Sequence, residues 1–223
     1  MNIAIDGPAG AGKSTIAKMV AKDLGSIYVD TGAMYRAVAL RMLKLGVDTS
    51  DTVAITNATP GMDITIRYAD GVQHVILDGE DVSDKIRTNE VSGLASVVAA
   101  VPAVRKKLVE LQQKLASETS VVMDGRDIGT VVLPNAELKI YLTASQEERA
   151  RRRFRQNEEQ GTPNPPMDML ICEIAERDRR DMTRPVSPLR KAEDAVLLDS
   201  SDMTIEEVVA RILSLAKERE NVG

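Results

Sequence analysis

The stretch Gly7-Pro8-Ala9-Gly10-Ala11-Gly12-Lys13-Ser14, with Thr15 behind it, constrains this chain more than any other. It fits G-x-x-x-x-G-K-[ST], in which glycines let successive backbone N–H groups turn inward as a nest for phosphate oxygens. Lys13 brings a cation to the outer phosphates of a nucleotide, and Ser14 offers a hydroxyl to Mg²⁺. A helix starting near Lys13 points its positive end at the same anion. The flanks agree: Asn2–Asp6 reads as a short buried strand, and Ile16, Ala17, Val20, Ala21 and Leu24 recur at helical spacing. A glycine-rich turn that binds nothing has no use for a complete Gly-Lys-Ser between a strand and a helix.

Composition narrows the alternatives. A chain of 223 residues is long enough for one large α/β domain with a filled core. Aromatic residues are 2% of it, with no Trp and one Phe, so Val, Ile, Leu, Ala and Met must build that core. Cys172 is the one cysteine, which excludes an internal disulfide and a cysteine metal cluster and suits a reducing compartment. His74 stands alone and argues against a histidine metal site or a Ser-His-Asp mechanism. No apolar run approaches the ~20 residues of a membrane span, and the chain enters its first strand without a signal peptide. The expectation is a cytoplasmic monomer that touches no membrane.

A net charge of -5 and a pI near 5.1 argue against long nucleic acid as a partner. They leave nucleotides open, because a small anion feels the local field. Nine of the 18 arginines fall between Glu147 and Arg184, with nine Asp or Glu and no Lys, so that segment is dense in charge and neutral overall.

Along the chain, Ser26–Asp30 reads as a second strand and about Ala33–Leu45 as a helix stopping at Gly46. Val47–Pro60 is a mixed connection. From Met62 the period changes to two, with Asp70-Gly71 as a hairpin signal, Val72–Leu77 as the returning strand and Glu80–Val82 after another turn. That pattern predicts a small antiparallel insertion. A helix over about Asp84–Ala100 is broken by Pro102, and another runs to about Ser117. Val121–Gly125 and Leu138–Leu142 are further buried strands, and Val196–Asp199 is the fifth strand. Ser145-Gln146-Glu147-Glu148 and Thr204-Ile205-Glu206-Glu207 read as capping boxes, and a Pro163–Pro166 loop precedes a helix over about Met167–Asp181. Strands alternating with helices imply a parallel sheet covered on both faces, whose ligands bind beyond the carboxyl ends of the strands. Asp6/Gly7, Asp30/Thr31 and Asp124/Gly125/Arg126 should therefore converge on one cleft.

Phosphoryl transfer needs a cradle, a metal, cations on the moving charge and a positioned acceptor. Asp124, ending a hydrophobic strand, is a candidate to orient Mg²⁺ directly or through water, with a turn-forming Asp-Gly as the plainer reading. Arg36, Arg126 and the arginines of 149–184 are candidate phosphate ligands, since a guanidinium fork matches phosphate oxygens. For Arg149, Arg151, Arg152, Arg153 and Arg155 a solvated helix face is the default, with Glu147/Arg151 and Glu148/Arg152 as i,i+4 pairs. An Arg-dense helix–loop–helix between two core strands also suits a lid that brings cations over ATP when closed. No side chain stands out as a general base. A phosphate monoester, with a second pKa near ~6, needs none, so the absence favours a phosphorylated acceptor.

The run Asp30-Thr31-Gly32-Ala33-Met34-Tyr35-Arg36 carries a resemblance, together with Ile5–Ala9, Met123-Asp124-Gly125-Arg126-Asp127-Ile128-Gly129-Thr130 and Glu176-Arg177-Asp178…Arg184. Over nearly its full length the chain resembles the bacterial cytidylate kinases (CMP kinases), which are nucleoside monophosphate kinases. The resemblance implies a P-loop NTPase fold: a five-stranded parallel sheet in the order 2-3-1-4-5 flanked by helices, a small antiparallel β insertion and a helical lid. It implies one domain, with a core of about 1–30, 101–147 and 185–223, an NMP-binding region of about 31–100 with its insertion at about 62–83, and a lid of about 148–184. Residues Gly7–Thr15 would bind ATP, with Mg²⁺ at Ser14 and Asp124. Arg36, Arg126 and Arg184 would hold the acceptor phosphate beside Thr31, and Arg177 would attend the transferring phosphate. Ser96, Arg105 and Asp127 would read the cytosine edge, and Asp181 the ribose. Lys13, Arg126, Arg177 and Arg184 are then the catalytic set. An ordinary ion pair with Arg126 is the plainer reading of Asp127.

Cytosine offers a donor at N4 beside acceptors at N3 and O2, to which a carboxylate, a guanidinium and a hydroxyl are complementary. Uracil puts an acceptor where cytosine has its donor, so CMP and dCMP are expected over UMP. The other readings are a different small-molecule kinase on the same loop, a nucleotide-controlled switch, or a nucleotide-binding regulator. A GTPase switch would need an N-K-x-D guanine reader, which the chain lacks.

Overall fold

In the computed structural model, which describes residues 1–69, 71–159 and 161–221, the elements follow in a βα rhythm interrupted once. They are β1 (Ile3–Asp6), α1 (Lys13–Asp23), β2 (Ile27–Asp30), α2 (Thr31–Lys44), α3 (Thr52–Ala58), β3 (Ile64–Ala69), β4 (Val72–Leu77), β5 (Glu80–Asp81), α4 (Asn89–Val98), α5 (Pro102–Glu118), β6 (Val121–Gly125), β7 (Leu138–Thr143), α6 (Gln146–Glu159), α7 (Met167–Thr183), β8 (Val196–Asp199) and α8 (Ile205–Glu220).

Five strands form one parallel sheet in the order β2-β6-β1-β7-β8, which among the parallel strands alone is 2-3-1-4-5. The order follows from burial. β1 and β6 are buried along their whole length and take the middle positions, as continuous apolar strands covered on both faces must. Ile16, Val20, Val208 and Ile212 from α1 and α8 pack on one face against Ile3, Ile5 and Ile140. Ala4, Val29 and Met123 face the other side, where Val109 and Leu115 of α5 meet them. With so few aromatics, methionine fills space: Met34, Met42, Met62 and Met123 are all fully buried.

The second sheet, β3-β4-β5, is antiparallel and is the expected insertion. Its apolar side, Ile64, Val75 and Leu77, joins Met34, Val38 and Met42 of α2 and Leu108 of α5 in one core. That shared core makes it an outgrowth of the domain. Asp70 of the expected turn lies outside the described residues; Gly71 sits at φ 74°, where a side chain would be strained.

Several boundaries differ from expectation, three of them through a side-chain cap. α2 starts at Thr31, two residues early, because the Asp30 carboxylate accepts the Ala33 N–H at 2.8 Å. Asp51 caps α3 within the stretch expected to be a mixed connection. The helix expected over Asp84–Ala100 is two pieces, a 3₁₀ turn at Lys85–Arg87 and α4, because Thr88 turns extended and caps Val91 N. α7 runs on to Thr183. Ser145 makes only half of its box, accepting Glu148 N at 3.2 Å, while the Glu148 side chain turns to Arg151 and Arg152. Thr204 and Glu207 complete theirs.

Candidate active site

The three strand ends do converge. Gly7 follows β1 at φ 154°, and a Cβ there would lie 1.9 Å from the Leu142 carbonyl oxygen, so the loop passes β7 only as glycine. Gly12, at φ 85°, is the N-cap of α1, with Lys13 as the first helical residue. Lys13 is buried and donates from Nζ to the Pro8 carbonyl at 2.7 Å. Burial, then the nearby Arg126 guanidinium, pulls its ammonium well below the usual lysine range. Ser14 and Thr15 stand exposed at the mouth of the loop.

Asp124 stands at the next strand end. It is buried, and its carboxylate accepts from Ser14 Oγ at 2.9 Å and from the Tyr28 hydroxyl at 2.8 Å. It belongs to β6, which removes the turn reading. Burial and the neighbouring Asp30 push this carboxyl above its ordinary range. A desolvated carboxylate beside a hydroxyl at the end of a phosphate nest fits a hard divalent cation that takes its remaining ligands from water and phosphate. No cluster of three or more His, Cys, Asp or Glu suited to a metal occurs among the described residues. Thr31 Oγ1 donates to the Asp124 carbonyl at 2.7 Å, and Arg36 lies one turn along α2, paired with Asp30 at 2.9 Å.

Arg126 turns to Asp181, donating from Nε to Oδ2 at 2.8 Å. Burial alone would raise the Asp181 carboxyl, but Arg126, Arg177 and Arg184 together outweigh it and hold it below its ordinary range. Asp127 is buried and pairs with Arg105; Arg184 Nη2 stands 3.5 Å from its other oxygen. The plainer expectation for Asp127 thus has the wrong partner, since Arg126 is committed to Asp181. Arg184 Nη2 is buried without a hydrogen-bond partner, and so is the Tyr35 hydroxyl, whose ring lies 5.5 Å from the Arg105 guanidinium. Two buried polar atoms without a hydrogen-bond partner around one buried carboxylate fit the polar edge of a ligand. Nothing in periodicity or charge marks Tyr35 as a site residue, although it lies inside the Asp30–Arg36 motif.

Ser96 is the member that the geometry leaves apart. Its hydroxyl donates to the Gly93 carbonyl at 3.3 Å, and among the described residues no hydrogen bond ties it to Arg105 or Asp127. With Asn89 and Ser92 of α4 it lines a cavity of ≈ 490 Å³, opposite Arg153, Arg177 and Arg180 of α6 and α7. Arg177 makes no hydrogen bond or ion pair among the described residues. Burial and the Arg126 charge lower its pKa to about 10. Lys13 feels Arg126 and Arg177 as like charges, and Arg177 in turn feels Arg126, a cluster suited to a polyanion.

The solvated-face reading holds for Arg151 and Arg155, which are exposed, and fails for two others. Arg149 is buried, donating to the Ala144 and Ala9 carbonyls and pairing with Asp178 at 2.6 Å. Arg152 reaches the Ser200 carbonyl at 2.6 Å and the Ala11 carbonyl at 3.4 Å. Glu148 pairs with both Arg152 and Arg151, in place of the separate Glu147/Arg151 pair. The root of the expected lid is therefore bonded to the phosphate loop. Asp6 supports the site from below, accepting Ile128 N at 2.8 Å and Gly129 N at 2.7 Å in a π-helical turn over Ile128–Val132 that periodicity did not suggest.

A parallel sheet with a glycine-rich loop after its first strand, a lysine in that loop and arginines facing it defines a P-loop phosphotransferase. A family model described as cytidylate kinase matches residues 3–218. The cytidylate kinase of Caldicellulosiruptor bescii is 54% identical over 215 residues, 96% of this chain and 95% of that one. That of Rhodococcus opacus is 48% identical over 222 residues, 99% and 96% of the two chains. Among solved structures, an uncharacterized protein from Eubacterium ventriosum has a TM-score of 0.54 at 12% identity over 98% of each chain, a likeness of fold alone. The chain belongs to the cytidylate kinase family and is a kinase. No helix among the described residues is long and apolar enough to cross a membrane.

Proposed function

We propose that this enzyme transfers the terminal phosphoryl group of ATP to the phosphate of CMP or dCMP, giving CDP or dCDP and ADP. The observation that carries the reading is Asp127: a buried carboxylate held by Arg105, next to two buried polar atoms that lack a hydrogen-bond partner, beside a cluster of cations. A nucleoside monophosphate suits both halves, its base meeting Asp127 and Arg105 and its phosphate meeting Arg36, Arg126 and Arg184. Family membership supports the cytosine assignment.

The chemistry asks little of acid–base groups. With a second pKa near ~6, the acceptor phosphate is already a nucleophile at neutral pH. Residues Gly7–Thr15 hold the donor phosphates, and Lys13 and Arg177 face the oxygens on which charge develops during an in-line displacement. Ser14 and Asp124 are the residues that would hold Mg²⁺, which when bound neutralises phosphate charge and orients the donor. Asp181, fixed by Arg126, is the candidate ribose ligand.

The test is a panel of monophosphates with ATP. CMP and dCMP are expected to turn over well ahead of UMP, AMP and GMP. Turnover of UMP as fast as CMP sinks the cytosine assignment, and ATP binding without any transfer favours a regulator instead.

A further inference from the structure

The insertion does more than enlarge the core, because its tip closes an open edge of the main sheet. β2 is an edge strand, paired by β6 on one side only, from Ile27↔Val121 to Asp30↔Asp124. In a parallel pair alternate residues turn their N–H and C=O groups to opposite sides. Tyr28 and Asp30 present theirs away from β6, and the hairpin takes up three of those groups. Gln73 Oε1 accepts the Asp30 N–H at 2.7 Å, and Gln73 Nε2 donates to the Asp30 carbonyl at 3.2 Å. The Tyr68 hydroxyl donates to the Tyr28 carbonyl at 3.1 Å. Tyr68 and Gln73 are themselves cross-strand partners in β3 and β4. A primary amide carries the same donor and acceptor as a peptide group, so Gln73 supplies one rung of a β-ladder with its side chain.

The two residues so held are those that aim the site. Asp30 caps α2 through Oδ1 and pairs with Arg36 through Oδ2 at 2.9 Å. Tyr28 donates its hydroxyl to Asp124 at 2.8 Å, and Thr31, next along from Asp30, donates to the Asp124 carbonyl. The apolar side of the insertion packs on α2 through Ile64, Val75 and Leu77 and needs neither Gln73 nor Tyr68 to do so.

We propose that Gln73, seconded by Tyr68, is a positioning residue for the acceptor phosphate. The rung fixes the Asp30 backbone, hence its carboxylate, hence the Arg36 guanidinium relative to the phosphate loop. The inference rests on the reading of Arg36 as a ligand of that phosphate. It gives the insertion a role in transfer that packing alone does not.

The experiment is steady-state kinetics with the full chain, using as acceptor whichever monophosphate the wild type turns over fastest. A wrong base assignment therefore leaves the test intact. Gln73→Ala is expected to raise the acceptor KM about tenfold, with the donor KM and thermal midpoint little changed; Tyr68→Phe should act in the same direction and less. In an Arg36→Ala background, Gln73→Ala should cost nothing further, since one removes what the other positions. Gln73→Glu keeps the size but loses the donor to the Asp30 carbonyl, so it too should raise the acceptor KM. A purely structural role instead lowers the thermal midpoint and impairs both substrates alike. An unchanged acceptor KM in Gln73→Ala, or an equal loss with and without Arg36, overturns the proposal. A wild type that phosphorylates no monophosphate overturns the proposed function along with it.

Discussion

Arg149 and Asp178 meet at 2.6 Å beside the phosphate loop, and between them they hold both backbone groups of Ala9. Arg149 Nη1 donates to the Ala9 carbonyl at 2.9 Å, and Asp178 accepts the Ala9 N–H at 3.3 Å. Gly10 is shaped by the same neighbour, for a Cβ there would stand 3.2 Å from Arg149 Cβ and its carbonyl oxygen. The root of α6 and α7 thus belongs mechanically to the phosphate loop, and any closing movement is left to the residues beyond it.

This pair predicts a non-additive stability cycle. Removing one partner strands a buried charge, so Arg149→Met or Asp178→Leu alone should destabilise the fold by about 3–5 kcal/mol. The double variant should lose clearly less than the sum, because no unpaired charge is left behind. Urea denaturation of the four proteins reads it directly, and strictly additive losses would refute the coupling.

Lys13 predicts a separation of activity from stability. Its ammonium is desolvated and crowded by Arg126 and Arg177, with one carbonyl as its hydrogen-bond partner among the described residues. Lys13→Met should cut turnover by a factor on the order of 10² or more while leaving the thermal midpoint unchanged or higher. A variant that unfolds at lower temperature would show that Lys13 holds the loop together as well as serving phosphate.

How much of this was legible beforehand depends on where the deciding partner sits. β6 was readable residue for residue because a buried parallel strand writes its apolar run locally, and β8, a half-exposed edge strand, was readable from its short Val-Leu-Leu run. The phosphate loop was readable for the same reason. Arg149 was not, since a buried arginine and a solvated one look alike at i,i+4 spacing, and its partners Ala9 and Asp178 lie far along the chain. The π-helical turn after Asp127 depends on Asp6, more than a hundred residues earlier. The Asp51 and Thr88 caps do leave a signal, a capping residue ahead of an apolar period, but it is a weak one inside stretches whose composition is continuous.

Asp6 predicts a pH dependence of stability with an unusual sign. Burial, only partly offset by the Ile128 and Gly129 N–H groups, raises its pKa from 3.8 to about 6. Between those values the folded state binds more protons than the unfolded state. The contribution of this group is therefore complete below about pH 4 and is lost as pH rises through about 6. The difference in unfolding free energy between wild type and Asp6→Asn should fall across that window, by at most about 3 kcal/mol. A flat difference would mean that Asp6 is ionised throughout.

Asp127 and Arg105 already pair before any base is present, which makes the carboxylate a charged acceptor with no water to fall back on. Cytosine N4 can donate to it, whereas uracil O4 leaves it facing another acceptor. On the proposed reading, that penalty, on the order of 1–3 kcal/mol, is what separates the two bases at this position. Asp127→Asn replaces part of that acceptor with an amide donor. The ratio of kcat/KM for CMP over UMP should then fall by about 10-fold or more, mainly through loss of CMP activity and with some gain on UMP. Arg105 loses its counter-charge in the same variant, so a lower thermal midpoint is expected and does not bear on selectivity. An unchanged CMP-to-UMP ratio in a folded Asp127→Asn enzyme would place base reading elsewhere and return Asp127 to the role of a structural ion pair.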